Sequence, residues 1–268
     1  MISLTYIFTN ADIDWFYNVT KDTNNVYDDN NEWQWQLNRM NFWPNLANAY
    51  WGLSNETYAI FWVRQFRDWI TSCPVPSSQQ NGSGSCWRTI EGGLRMSSWP
   101  NSYHRFLLSP SFTDQDVVDY LKSCIEHARY LRTYYTSGNW LTMEMSGLYT
   151  VGALYPELTE AAGWRSFASV SLYSEQTNQF YPDGVQKELS PNYHGVAVGN
   201  ILEIYTVAAL EGRASELPTN YLSNLEKSYA HYLWLMAPDR KMPQFNDCVA
   251  KMVAGSLTWV DVERAAAA

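Results

Sequence analysis

Hydrophobic residues recur at helical spacing along most of this chain, and this pattern constrains the fold more than any other feature. In FRDWI, for example, Phe66, Trp69 and Ile70 lie at positions i, i+3 and i+4, so they share one face of a helix. Strand-like alternation is scarce, and the polar breaks between periodic segments are short. The pattern therefore predicts an all-α fold of helical hairpins, wound into a toroid or a solenoid. The predicted helical segments are 36–53, 55–72, 88–108, 113–136, 139–155, 160–180, 191–212 and 218–237.

Capping signals indicate where several of these helices begin and end. Thr113 precedes the acidic residues of TDQD, a pattern typical of an N-cap followed by the first helical turn. Ser190 and Pro191 indicate another start, with serine as the N-cap and proline at the first helical position. Pro156 follows TVGALY and indicates the end of a helix.

Charge and composition exclude some classes of protein. The 268 residues carry a formal net charge of −9 and a sequence pI near 4.9, which argues against a general nucleic-acid binder. No apolar run approaches the ~18 residues that a membrane-spanning helix needs, so we expect no membrane span. Aromatic residues make up 16% of the chain. They indicate either a helical core of large side chains or a cleft lined with flat rings, which suits sugar faces.

The cysteines and the chain ends give further expectations. The 4 cysteines include no CxxC pair, so we expect no metal site in this chain. Cys73 and Cys86 flank the polar loop PVPSSQQNGSGS, and are either joined by a disulfide in an oxidising compartment or two free buried thiols. No signal peptide is visible at the N-terminus. The alanines at 265–268 are expected to be a cloning scar or a truncation.

The segment SPNYH places Tyr193 in the first turn of a predicted helix. Unpaired backbone N–H groups and the positive end of the helix dipole favour an anion there, so a tyrosine at this position could transfer a proton. The neighbouring His194 could position a substrate. The alternative is that Tyr193 packs its ring and His194 caps another element.

The segment TSGNWLTMEMSGL is a second candidate, because a Ser-Gly-Asn turn leads into a helix. Asn139 is expected at the mouth of this helix, with its amide free to face a cleft, and Glu144 shares that face only loosely. The alternative is an N-cap asparagine and a solvated glutamate.

Arg88, Glu91 and Arg95 form a stripe on one predicted helix, at positions i, i+3 and i+7. In a chain with only 17% charged residues, this stripe is either a buried ion-pair network or an anion clamp. Arginine suits bidentate recognition of a carboxylate or a sulfate.

Two further stretches have residues that suit a sugar-binding site or the active site of a hydrolase. EWQWQLNRMNFW combines rings and amides, including Trp35 with Arg39 nearby, which fits a sugar site or simply the start of a core helix. Asp183 and Glu188 could be the carboxylate pair of a glycoside hydrolase, although Asp183 and Gly184 first of all indicate a turn.

Taken in order, these stretches resemble the helical N-terminal domain of the heparinase II/III family of polysaccharide lyases. No single motif is decisive, but the ordered set is specific and covers about residues 30 to 250. The matching pieces are EWQWQLNRMNFW, FRDWI, WRTIEGGLRM, LLSPSFT, SGNWLTMEMSGL, Pro156-Glu157 followed by Trp164-Arg165, FYPDGVQKELSPNYH and MPQFND.

The resemblance implies an incomplete (α/α) toroid over residues 1–264, followed in full-length members by β-sandwich sheets. It implies β-elimination of a polysaccharide that contains uronic acid. Asn139 then matches the amide that neutralises the uronate carboxylate, and Tyr193 matches the catalytic base or acid. Further substrate contacts are expected at His194, Glu144, Arg88, Glu91, Arg95, Trp140, Trp35 and Arg39.

This chain also departs from the pattern of the family. Many relatives carry histidine directly after the asparagine, where this chain has Trp140, and another catalytic histidine comes from the β-sandwich domain. We expect no cofactor in this chain, although that absent domain could hold a structural divalent metal. An acidic polysaccharide is the expected partner. The protein is expected to be periplasmic or secreted in a bacterium, and its oligomeric state stays open. The alternatives are a non-catalytic carbohydrate-binding domain and a glycoside hydrolase on the same scaffold.

Overall fold

The computed structural model describes residues 6–8, 12–21, 29–82, 84–238 and 241–248. Within these ranges the chain forms α-helices and two short 3-10 helices, with isolated bridges Gln80–Arg88 and Phe180–Gln186 in place of strands. The prediction of an all-α fold is therefore confirmed. The α-helices are α1 Glu32–Arg39, α2 Trp43–Leu53, α3 Glu56–Ser72, α4 Thr89–Phe106, α5 Asp114–Tyr134, α6 Gly138–Leu154, α7 Ala161–Asn178, α8 Pro191–Leu210 and α9 Tyr221–Leu235.

The chain divides into two compact units, Met1–Tyr135 and Thr136–Ala268. In the first, α2 packs on α3 and α4, and α4 also packs on α5. Its core is built from aromatic side chains, as one of the two sequence alternatives proposed. Its fully buried rings include Trp43, Trp62, Phe66, Trp69 and Phe106.

The first predicted segment, 36–53, is two helices in the structure. The backbone of Met40 adopts a left-handed conformation with φ of 54°, which ends α1, and Pro44 lies in the first turn of α2. A proline is accommodated there because its missing N–H would have no partner in a first turn. The prediction of one continuous helix was wrong because a left-handed methionine leaves no clear signal in the sequence.

In the second unit, α6 packs on both α7 and α8, and α8 packs on α9. Helix α6 is buried along most of its length. Gly152 permits the close contact with α7, because a Cβ atom there would lie 2.7 Å from the carbonyl oxygen of Ala161. The buried α6 is thus a fixed platform for the residues at its N-terminal end.

Two predicted helix starts are confirmed. The Thr113 side chain accepts a hydrogen bond from the backbone of Asp116, and the Asp116 carboxylate accepts one from the backbone of Thr113. At α8, the Ser190 side chain accepts from the backbone N–H of Tyr193, and Pro191 is the first helical residue.

The structure joins Cys73 and Cys86 in a disulfide, with 6.1 Å between their Cα atoms. The disulfide closes the polar loop between α3 and α4, which was one of the two sequence alternatives. None of the helices in the described part of the chain is both long and apolar enough to span a membrane. The alanine tail at 265–268 lies outside the described residues.

Candidate functional site

Asn139 lies in the first turn of α6 in the second unit. Ser137 is the N-cap, and Gly138 turns the chain into the helix with φ of 68°, so the alternative that Asn139 itself caps the helix was wrong. Asn139 is 8% exposed. Its side-chain nitrogen donates no hydrogen bond to any residue within the described ranges, so this amide retains a donor for a ligand.

Thr142 connects the start of α6 to α8. Its hydroxyl donates to the carbonyl oxygen of Asn139 over 2.7 Å and accepts from the side-chain nitrogen of Asn200 over 2.9 Å. Sequence reasoning missed both Thr142 and Asn200. The only available signal was that Thr142 lies three residues after Asn139, on the same face of a helix.

Tyr193 lies in the first turn of α8, in the same unit as Asn139. It is seven residues before Asn200, which is two helical turns and about 10 Å along the axis on the same face. Because Asn200 bonds to Thr142, that face of α8 lies against the first turns of α6. The Thr142–Asn200 hydrogen bond thus joins the helix that starts beside Asn139 to the helix that carries Tyr193, whose ring is half-buried.

Glu144 is fully buried and holds the turn that precedes Asn139. Its carboxylate accepts 2.7 Å and 2.9 Å hydrogen bonds from the backbone N–H and the hydroxyl of Thr136. The alternative of a solvated glutamate was wrong. Glu144 instead fixes the chain two residues before the glycine that sets the direction of α6.

His194 is a buried connector between three segments. Its Nδ1 accepts from the backbone N–H of Gln186 over 3.3 Å, so Nε2 carries the proton and donates to the carbonyl oxygen of Ser228 over 3.0 Å. Burial lowers the pKa of His194 to about 4, which keeps the ring neutral. Both ring nitrogens are used within the protein, so this ring positions the start of α8.

Trp140 is 38% exposed beside Asn139. An exposed indole at this position offers a flat apolar face next to the free amide. Rings of this kind stack on the faces of sugars, whereas a histidine at the same place would offer a proton donor.

In the first unit, Arg88, Glu91 and Arg39 form an ion-pair network. Arg88 donates two 2.6 Å hydrogen bonds to the Glu91 carboxylate, and Arg39 donates a third of 3.0 Å. Arg39 also pairs with Glu32 over 2.9 Å. The Arg88 guanidinium lies 3.5 Å from the centre of the Trp35 ring. The geometry agrees with a buried ion-pair network, the first of the two sequence alternatives.

Arg95 is completely buried in the same unit. It donates to Nε2 of His127 over 2.9 Å and to the carbonyl oxygen of Asn38 over 3.0 Å, and its guanidinium lies 4.4 Å from the centre of the Trp69 ring. Burial lowers its pKa to about 9. The core aromatic residues enclose this arginine, and no part of it reaches the surface.

The proposed hydrolase carboxylates do not form a buried pair. Asp183 and Glu188 are both exposed, and Asp183 accepts a 3.2 Å hydrogen bond from the backbone N–H of Val185, as a turn residue does. Across the part of the chain that the structure describes, no group of three or more histidine, cysteine or acidic residues could hold a metal ion.

The family model "Heparinase II/III N-terminus" matches residues 2–261. The chain therefore belongs to the heparinase II/III family and corresponds to its N-terminal part.

Curated relatives and solved structures agree with this assignment. The chain is 34% identical over 218 residues to a heparin-sulfate lyase of Pedobacter heparinus, covering 81% of this chain and 33% of that protein. It is 32% identical over 253 residues to a heparin-sulfate lyase of Bacteroides stercoris, covering 88% and 37%. The chain spans about a third of the length of these relatives.

Two crystal structures show the shared fold. Heparan sulfate lyase HepC from Pedobacter heparinus matches with a TM-score of 0.75 and 32% identity, over 91% of this chain and 37% of that one. A heparinase III structure matches with a TM-score of 0.78 and 26% identity, over 90% and 36%. These similarities confirm the expected fold class, an all-α incomplete (α/α) toroid.

Proposed function

We propose that this chain is the helical part of a polysaccharide lyase that cleaves heparan sulfate by β-elimination, with Asn139 and Tyr193 as its catalytic residues. The observation that carries the proposal is the Thr142–Asn200 hydrogen bond of 2.9 Å, which joins α8, the helix that carries Tyr193, to the start of α6. The names of the relatives, heparin-sulfate lyases, support the substrate class.

The chemistry explains why an amide and a phenol suit this reaction. Removal of the C5 proton of a uronate places negative charge on its carboxylate. Asn139 donates a hydrogen bond to that carboxylate without adding a competing negative charge. Tyr193, at the positive end of α8, takes the C5 proton or gives one to the leaving oxygen. The bond from C4 to the glycosidic oxygen breaks, that oxygen takes up a proton, and a double bond forms between C4 and C5 of the sugar.

Three neighbouring residues have distinct parts in this proposal. Glu144 is a positioning residue for Asn139, because it holds the turn through Thr136. His194 is a positioning residue for Tyr193 rather than the predicted substrate contact, because its nitrogens are already used. Trp140 remains a substrate contact, as its exposed ring suits stacking on a sugar.

The predicted substrate contacts of the first unit form two groups, one buried and one partly exposed to solvent. Arg88, Glu91 and Arg95 are buried, so we assign them structural roles in place of the predicted substrate contacts. Trp35 and Arg39 are only partly buried and remain the predicted contacts of this unit.

The disulfide supports a location outside the cytoplasm. Cys73 and Cys86 are joined, and disulfides persist in the bacterial periplasm and in secreted proteins. We therefore propose a periplasmic or secreted protein.

The test is the release of unsaturated uronate from a panel of uronans, followed by ultraviolet absorbance, with the protein in the longest form that its gene encodes. We expect product from heparan sulfate, and a loss of at least about a hundredfold in kcat for Tyr193→Phe and Asn139→Ala. The matched controls are Tyr205→Phe on the same helix and Asn178→Ala at the exposed end of α7. Binding of every uronan with no turnover would favour the non-catalytic alternative, and full activity of Tyr193→Phe would contradict the assigned role.

A further inference from the structure

A pocket opens in the same unit, and neither Asn139 nor Tyr193 is among the described residues that line it. It has a volume of about 440 Å³ and lies between the end of α7, the turn at 180–187 and helix α9. The side chains that matter for its chemistry are Tyr181, Lys187, Asn224 and Lys227.

The pocket is cationic in an acidic protein. Lys187 comes from the turn and Lys227 from α9, and no aspartate or glutamate is among the described residues that line the pocket. Neither ammonium group has an ion-pair partner in the described part of the chain. In a chain of net charge −9, two lysines left without a carboxylate at one cavity indicate an anionic ligand.

An aromatic ring and an amide complete the lining. The Tyr181 ring is 47% exposed, and the Lys187 ammonium lies 5.8 Å from its centre. Asn224 is three residues before Lys227, so both lie on the same face of α9. A flat ring beside cations and an amide suits a sugar that carries an acidic group.

The walls of the pocket are fixed. The backbone N–H of Tyr181 donates to the carbonyl oxygen of Val185 over 2.8 Å, and that of Lys187 donates to Gln179 over 2.7 Å. Gly184 has φ of 89°, and a Cβ atom there would lie 2.4 Å from the backbone of Lys227. The turn therefore packs directly against α9, which fixes the backbone of Lys187 relative to that of Lys227.

The pocket shares a wall with the start of α8. Ser228 lines the pocket, and its carbonyl oxygen accepts the hydrogen bond from His194, the neighbour of Tyr193. The pocket is therefore linked, through Ser228 and His194, to the helix start that carries Tyr193.

We propose that this pocket binds the sulfate or carboxylate of a sugar residue other than the one that is cleaved. The proposal rests on the proposed function for the identity of the polysaccharide. Lys187 and Lys227 contact the acidic group, Asn224 donates a hydrogen bond, and Tyr181 stacks on the sugar ring.

The test is titration calorimetry of this chain with heparan sulfate oligosaccharides. We expect the double variant Lys187→Gln/Lys227→Gln to bind about tenfold or more weakly, with a smaller dependence on salt. The matched control, Lys21→Gln/Lys122→Gln, removes the same charge elsewhere and is expected to change affinity less than about twofold. Tyr181→Ala is expected to weaken binding of the same oligosaccharides.

Modified oligosaccharides identify the acidic group. If the double lysine variant binds desulfated oligosaccharide as tightly as the wild type does, the lysines contact a sulfate. If the two proteins bind carboxyl-reduced oligosaccharide equally tightly, the lysines contact a carboxylate. Equal affinity of the double variant and the wild type for every oligosaccharide would overturn the proposal.

Turnover separates this proposal from the proposed function. In the longest form of the protein, Lys187→Gln/Lys227→Gln is expected to raise KM and to leave kcat within about twofold. If the double lysine variant has normal turnover and an unchanged KM, the proposal for the pocket is overturned and the proposed lyase function is not. If the wild type shows no turnover but binds oligosaccharides in a way that depends on the two lysines, the proposed lyase function is overturned and the proposal for the pocket stands.

Discussion

Neutralising Glu91 tests whether the arginine stripe is a structural network. Glu91 is 1% and Arg88 4% exposed, so Glu91→Gln leaves the Arg88 cation buried without its two 2.6 Å bonds to a carboxylate. Breaking a buried ion pair on one side costs about 3–5 kcal/mol. Arg88 keeps its stacking on Trp35 and a distant contact with Glu32 at 3.9 Å, so we expect a loss of about 3 kcal/mol in the free energy of unfolding.

Urea denaturation of this chain, followed by tryptophan fluorescence, measures the loss. The control is Asp12→Asn, which breaks the exposed pair with Arg64 and is expected to cost less than about 1 kcal/mol. The double variant Arg88→Met/Glu91→Leu is expected to recover much of the stability, because it removes both charges together. The reasoning is refuted if Glu91→Gln matches the control in stability while it changes the affinity for heparan sulfate, since that result describes an anion clamp.

Three further predictions follow from named contacts. The double variant Cys73→Ser/Cys86→Ser is expected to lower the free energy of unfolding by about 3 kcal/mol, because the disulfide closes a loop with a sequence separation of 13. Burial lowers the pKa of His194 from 6.5 to about 4. Between these two pH values the unfolded chain binds a proton at His194 that the folded chain does not bind. The free energy of unfolding therefore falls as the pH drops from 6.5 to 4, by up to about 3 kcal/mol. His194→Gln is expected to reduce that dependence in denaturant titrations. Glu144→Gln is expected to lower kcat by about tenfold or more with little change in substrate affinity, because it loosens the turn before Asn139.

Each of these predictions has a contrary result. Equal denaturation midpoints for the oxidised wild type and the double serine variant would contradict the disulfide. A pH dependence between 6.5 and 4 that is the same in His194→Gln and the wild type would contradict the buried neutral imidazole. An unchanged kcat in Glu144→Gln, beside a loss in Asn139→Ala, would show that the turn does not depend on the Glu144 charge.

Local signals predicted the fold well. Helical periodicity and the caps at Thr113 and Ser190 depend on residues close in sequence, and the structure confirms both caps. The break at Met40 was missed because methionine does not itself favour the left-handed backbone conformation that ends α1.

The candidate site could be predicted only in part. The spacing of the arginine stripe placed Arg88 and Glu91 on one face, but it could not show that Arg95 would be enclosed by core aromatics. The hydrogen bond between Thr142 and Asn200 spans 58 residues of sequence, and such a contact follows from helix packing alone. Periodicity describes one helix at a time and does not show which helix it meets.

Mass spectrometry of the products from heparan sulfate tests the central claim most directly, with the longest form of the protein and its Tyr193→Phe variant. The account predicts fragments whose new nonreducing ends are one water lighter than those from hydrolysis, formed by the wild type and almost absent with Tyr193→Phe. Fragments with the mass of hydrolysis products, or equal yields of the lighter fragments from both proteins, would contradict it.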